Sequence, residues 1–202
     1  MPWEKQFDRD EVLDRAEQTF WLGGYEATSL ETLLDRMGIQ KGSFYATFAS
    51  KHTVLIESLN RYIGQRYASF EEAAAKDPPL EALERHFQEM LKECTGQNAS
   101  RGCFLVNIAL EMAPRDKTIR SMVRRTLQAH QDFYRRLLES ARTRGAIPKD
   151  YDVDAGAASL LGLLLGMRVM SRAGMPKASI QALHDRALEI AGVVSKTAAS
   201  KT

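Results

Sequence analysis

Apolar residues along this chain recur at spacings of three and four, and strand-like alternation is absent, so the pattern predicts helices throughout. The first is expected from about Asp8 to Leu22, with Leu13, Ala16 and Phe20 on one face and Gly23-Gly24 at its end. A second starts at Thr28-Ser29, where either hydroxyl can cap the open amide groups, and turns Leu30, Leu33, Leu34 and Met37 inward. Gly38 allows a sharp turn because glycine tolerates positive φ. A short third helix covers about Lys41 to Phe48, with Phe44 and Phe48 one turn apart. Ala49-Ser50 breaks the pattern, and Ser50 caps a fourth helix with Leu55, Leu59, Tyr62 and Ile63 inward.

Asp77-Pro78-Pro79 is a clear punctuation point. Further helices are expected at about 80–94, 102–112, 116–144, 154–172 and 176–196, giving an all-α chain with no internal repeat. The small polar tail 195–202 is expected to fray. The segment from Asp154 to Arg172 sets Gly156, Ala157, Ala158, Gly162 and Gly166 among leucines and is apolar nearly all round, so it should be covered on every side. One face would meet the core and the other a second subunit. Together with the last helix it would form a symmetric bundle in a homodimer through Gly162, Gly166, Leu183, Ala187 and Ile190. A monomeric core helix is the alternative.

The composition, 44% hydrophobic and 27% charged over 202 residues, is that of an ordinary globular protein. The N-terminus has no apolar run of the secretory kind. The longest uncharged stretch, Ala155 to Met167, is shorter than the roughly 18 apolar residues a bilayer requires, so a cytoplasmic protein is expected. Cys94 and Cys103 form no CxxC pair, and His52, His86, His130 and His184 are scattered, so neither a metal site nor a cofactor is expected. No nucleophile–base pair or phosphate loop points to catalysis.

The net charge of +2 says little, but its distribution says more. Residues 4–35 carry Lys5, Arg9 and Arg15 against nine acids, whereas residues 36–66 carry five cations against Glu57 alone. Positive charge is therefore local, and a phosphate-binding face needs it only locally. Two short helices joined at a glycine and packed on a third make a helix-turn-helix candidate. Around Phe44 and Phe48 the third helix shows Gln40, Lys41, Gly42, Ser43, Tyr45, Ala46 and Thr47, with no acid and many hydrogen-bonding groups. A helix entering the major groove needs that combination.

Residues 9–59 resemble the TetR family of transcriptional regulators, through Ala16, Phe20, Gly24-Tyr25, Thr28-Ser29, Gly38-Ile39, Lys41-Gly42-Ser43, Phe44-Tyr45, Phe48 and Ser50-Lys51. The resemblance implies a helix-turn-helix domain over 7–50, a linking helix over about 51–75 and a helical ligand-binding and dimerisation domain over 80–196. It implies that Thr28 and Ser29 donate to phosphate, that Gln40, Lys41 and Ser43 face base edges beside Gly42, that Tyr45 reaches phosphate or a thymine methyl, and that Lys51 meets a phosphate. Leu34, Thr19 and Thr47 depart from the family pattern, and Thr47 leaves its own DNA contact open.

A pocket for a small-molecule effector is expected from Phe87, Met90, Phe104 and Met112, with Phe133, Leu137, Leu164 and Met167, because methionine and aromatic side chains adapt to varied ligands. Asn107 and Glu111, one turn apart in an apolar helix, are its candidate polar anchors. Cys103 follows Arg101-Gly102 at a helix start, which suits a redox-sensing thiolate, although a small buried hydrophobe is the simpler reading. The basic stretch 115–144, whose only phenylalanine and tyrosine are Phe133 and Tyr134, reads as a solvated face. The expected protein is a ligand-released repressor that reads a pseudo-palindromic operator in double-stranded DNA. A helical enzyme or a protein-binding adaptor is the competing class.

Overall fold

The computed structural model describes residues 7–193, and every regular element in it is helical. The elements are α1 (Arg9–Gly23), α2 (Leu30–Met37), α3 (Lys41–Phe48), α4 (Lys51–Lys76), α5 (Pro79–Thr95), a 3-10 turn (Ala99–Arg101), α6 (Phe104–Met112), α7 (Lys117–Thr143), α8 (Val153–Arg172) and α9 (Lys177–Ala191). The expected tail 195–202, and the end of the last expected helix at 194–196, lie outside the described residues.

Contacts divide the chain into two units, and the division is not contiguous in sequence. The first unit takes residues up to Arg66 together with Cys103–Val123, and the second takes Tyr67–Gly102 with the chain from Arg124 onward. The expected helix-turn-helix domain over 7–50 falls within the first unit, whereas the expected linking helix and the region 80–196 are each divided between the units. The helix α6 and the start of α7 belong with α1–α3.

In the first unit, each short helix is bounded by the chemistry its sequence announces. Asp8 caps α1 by accepting from the amides of Asp10 and Glu11. Ser29 caps α2 by accepting from Thr32 N, and Gly38 ends it at φ 71° in the left-handed region. Ser50 caps α4 by accepting from Thr53 N at 3.0 Å. Val12, Leu13, Ala16 and Phe20 of α1 are buried, as are Leu33 and Met37 of α2 and Phe44 and Phe48 of α3. Phe104, Leu105 and Ile108 of α6 are buried in the same unit. Trp21 stacks on Phe104 at 6.1 Å, and Tyr62 meets the same ring edge-on.

The second unit packs α5, α8 and α9 around Leu83, Phe87, Met90, Leu160, Leu164, Met167 and Ile180. Polar groups lie inside this core. His86 Nε2 and the Tyr134 hydroxyl are 2.8 Å apart, and burial pushes the Tyr134 phenol far up. Arg168 is buried, donates to Met90 Sδ and pairs with Glu93 at 2.7 Å. The helix α8 is longer than its uncharged stretch and, by length and composition, could cross a membrane. Here it carries the buried Arg168 and is tied to the 3-10 turn by Ser171 Oγ donating to Ala99 O.

Candidate nucleic-acid interface

The helix α3 is seated by Phe44 and Phe48, both fully buried. Lys41, Gly42, Tyr45 and Ala46 lie at i, i+1, i+4 and i+5, and all are exposed, so they form one face. Gln40 precedes them as the N-cap residue, is exposed, and makes no side-chain cap bond. Ser43 and Thr47 are half-buried at the edges of that face. Tyr45 is 50% exposed and edge-on to Phe44 at 5.4 Å, so its hydroxyl stands on a ring fixed by the core. A Cβ at Gly42 would meet nothing within 4 Å. Packing within the chain thus leaves open space beside this exposed first-turn glycine.

The expected backbone anchors behave differently. Ser29 is exposed at the start of α2, where its hydroxyl caps the helix and lies 2.9 Å from Thr32 Oγ1. Thr28 is a correction: it is buried, and its hydroxyl donates to Gly24 O at 2.6 Å. Lys51, half-buried at the start of α4, also has partners within the chain. Its ammonium donates to the carbonyls of Tyr25 and Thr28 at 3.0 and 2.8 Å and lies over the Tyr25 ring at 4.1 Å. Both side chains hold the α1–α2 loop. Beside them, His52 Nε2 meets Asp116 Oδ2 at 2.6 Å. Two backbone amides and this imidazole hold the Asp116 carboxyl below its ordinary range, the Ile119 amide contributing most.

The residues expected to line a pocket do not form one group. Phe104, Asn107, Glu111 and Met112 lie on α6 in the first unit, whereas Phe87, Met90, Phe133, Leu137, Leu164 and Met167 belong to the core of the second. Glu111 spends both carboxylate oxygens on backbone, accepting from Tyr25 N at 3.0 Å and Glu26 N at 2.7 Å. It is thereby a loop anchor, a role sequence reasoning missed because 85 residues separate it from Glu26. Cys103 is the half-buried N-cap residue of α6, with its sulfur 3.4 Å from the Tyr62 hydroxyl.

The expected dimer residues also divide. Ala187 is fully buried in its own unit and cannot meet a partner. A Cβ at Gly166 would stand 3.3 Å from Leu183 Cδ1, so this pair packs within the chain. The carbonyl of Ile190, itself half-buried, accepts from the Tyr151 hydroxyl. Gly162 alone of the five is exposed, with open space where a Cβ would stand.

Two family models match the chain: "Bacterial regulatory proteins, tetR family" over residues 12–57 and "Tetracyclin repressor-like, C-terminal domain" over residues 79–185. The chain belongs to the TetR family. It is 32% identical over 191 residues to the HTH-type transcriptional repressor ComR of Escherichia coli (strain K12), covering 93% of this chain and 87% of that protein. It is also 32% identical to the uncharacterized regulator YezE of Bacillus subtilis (strain 168), over 75% of this chain and 79% of that protein. Among solved structures, the TetR family regulator CifR, a cysteine mutant complexed with 26-bp double-strand operator DNA, superposes with a TM-score of 0.82. It shares 28% identity, covering 92% of this chain and 97% of CifR. This TetR-family chain is accordingly a DNA-binding transcriptional regulator with a helix-turn-helix of α2 and α3, and the family is regulatory rather than enzymatic.

Proposed function

We propose that this regulator is a dimeric, cytoplasmic repressor that reads an inverted-repeat operator with α3 and leaves it when a small molecule binds the second unit. The observation that carries the reading is the acid-free exposed face of α3, on which Gln40, Lys41, Gly42 and Tyr45 stand together above a buried pair of phenylalanines. Lys41 and Gln40 suit base edges, Ser43 and Tyr45 suit phosphate or base, and Gly42 admits the duplex. Thr47, at the edge of the face, has a lesser part. Repression is the activity named for ComR, and operator DNA is the partner named for CifR.

Dimerisation is supported by an uncovered line on α8. Ala155, Ala158, Ser159, Gly162 and Val169 are exposed and fall on one stripe of small or apolar residues. A twofold pairing along it would set two copies of α3 about 34–36 Å apart, one helical turn of DNA. For the effector, the second unit offers Phe87, Met90, Phe133, Leu164 and Met167 around the His86–Tyr134 and Arg168 groups, an adaptable interior with polar anchors. Binding there can shift the operator equilibrium only through differential affinity for two conformations.

Selection from a random duplex library tests the reading. It should return inverted repeats with half-sites about ten base pairs apart, and Lys41→Ala should relax the preference at one position of each half-site. Gly162→Leu should turn the protein monomeric in sedimentation and weaken operator binding. An asymmetric site insensitive to Lys41→Ala, or an unaltered dimer, would overturn the corresponding part.

A further inference from the structure

The α1–α2 loop is held by opposite charges acting on opposite backbone groups. Its amides, at Tyr25 and Glu26, donate to the two oxygens of Glu111 from α6. Its carbonyls, at Tyr25 and Thr28, accept from the ammonium of Lys51 at the start of α4. The carboxylate lies close against the chain. At Gly24, where φ is 80°, a Cβ would stand 3.0 Å from Glu111 Oε2. The loop leads directly to Ser29, which caps α2, and α2 leads through Gly38 to α3. All of these residues belong to the first unit.

A carboxylate in a DNA-binding unit opposes a polyanionic duplex. Hydrogen bonds to an ionised group are stronger than neutral ones, and two of them from one carboxylate fix direction as well as distance. We propose that Glu111 is a positioning residue for operator recognition: acting from α6, it fixes the α1–α2 loop and through it the seat of α2 and α3. This goes beyond the helix-turn-helix assignment and rests on DNA binding by α3.

The test is Glu111→Gln, which keeps the size and the helix but removes one acceptor and sets an NH2 group against an amide N–H. Electrostatics alone predicts tighter binding to every duplex, because a negative charge is lost. Positioning predicts the opposite for the operator. Operator affinity should fall about tenfold, the worth of roughly one charge-assisted hydrogen bond. Affinity for a scrambled duplex at the same salt should hold or rise. In hydrogen exchange, the amides of Tyr25 and Glu26 should lose protection while those of Phe44 to Phe48 keep it. Operator affinity that is unchanged, or that rises in parallel with the scrambled duplex, overturns the proposal. So does unchanged exchange at Tyr25 and Glu26, or loss of protection across the whole first unit, which would mark a residue that merely holds the fold. Lys41→Ala on the same duplexes separates the two levels. If it also leaves operator binding untouched, the assignment of α3 falls, and the role of Glu111 with it.

Discussion

In the first unit three half-buried charged groups act on backbone: Glu111 and Lys51 grip the amides and carbonyls of one loop, and Asp116 caps α7 while also meeting His52. In the second unit two buried polar groups face side chains: His86 meets Tyr134 among Phe70, Phe87 and Phe133, and Arg168 meets Met90 and Glu93. A charge on backbone fixes a conformation, because the groups it binds cannot change rotamer. A polar pair inside an aromatic core fixes only a packing arrangement, and rotamer changes can redraw it. The first design suits a rigid presenting surface. The second suits the two-state interior proposed above for effector response.

The largest expected effect would break the comparison if the units were not distinct. Phe44 is fully buried under the exposed face of α3, and Phe44→Ala should cost about 3–5 kcal/mol through lost burial and a residual cavity. Operator binding should be lost. Amides around Phe44 and Leu55 should lose protection from hydrogen exchange, while those around Phe87 and Leu160 retain it. Equal loss in both sets would show that the two units unfold as one.

Next in size is Tyr134→Phe. It removes the hydroxyl that lies 2.8 Å from His86 Nε2 at a fully buried site and leaves the ring volume unchanged. Urea unfolding should show a loss of about 1–3 kcal/mol, the cost of depriving a buried polar group of its partner. Operator affinity of the folded protein at low temperature should stay within twofold of wild type. A large drop in operator affinity without loss of stability would erase the contrast, because the second core would then be setting the geometry of the first unit directly.

The legibility of the two units differs in the same way. The pattern alone located α2 and α3, because the capping Ser29, the left-handed Gly38 and the buried pair Phe44 and Phe48 are all local signals. It located the exposed face of α3 for the same reason. What it did not show were the partners that Thr28, Lys51 and Glu111 take within the folded chain, most of them remote in sequence, although the acceptor of Thr28 is only four residues away. Thr28 and Lys51 looked like phosphate donors because their residue types suit that task, yet their nearest acceptors are carbonyls of the folded loop. Glu111 looked like a pocket anchor because its helix is apolar, but the reason it stands there is Tyr25, 86 residues away. Ala187 fitted an interface by its size, which fits a helix–helix core equally well. The non-contiguous first unit has the same origin, since no local signal says that α6 returns to α1.

The smallest expected effect concerns Asp116, and it sharpens the claim that first-unit charges act on backbone. The Thr118 and Ile119 amides and the His52 ring favour its ionised form, against partial desolvation, so its folded value lies below the ordinary one near 3.8. A depressed folded value means that the unfolded chain takes up the proton first as pH falls. The stabilisation is therefore complete above the unfolded value and lost as pH drops through the folded one. Between about pH 5 and pH 2, the wild type should lose stability to urea more steeply than Asp116→Asn. Because the Ile119 amide is the largest single cause and the Thr118 amide adds to it, His52→Gln should reduce that difference without abolishing it. Should His52→Gln abolish the difference, the side-chain pair, not the helix cap, would be what Asp116 supplies, and the first unit would resemble the second in this respect.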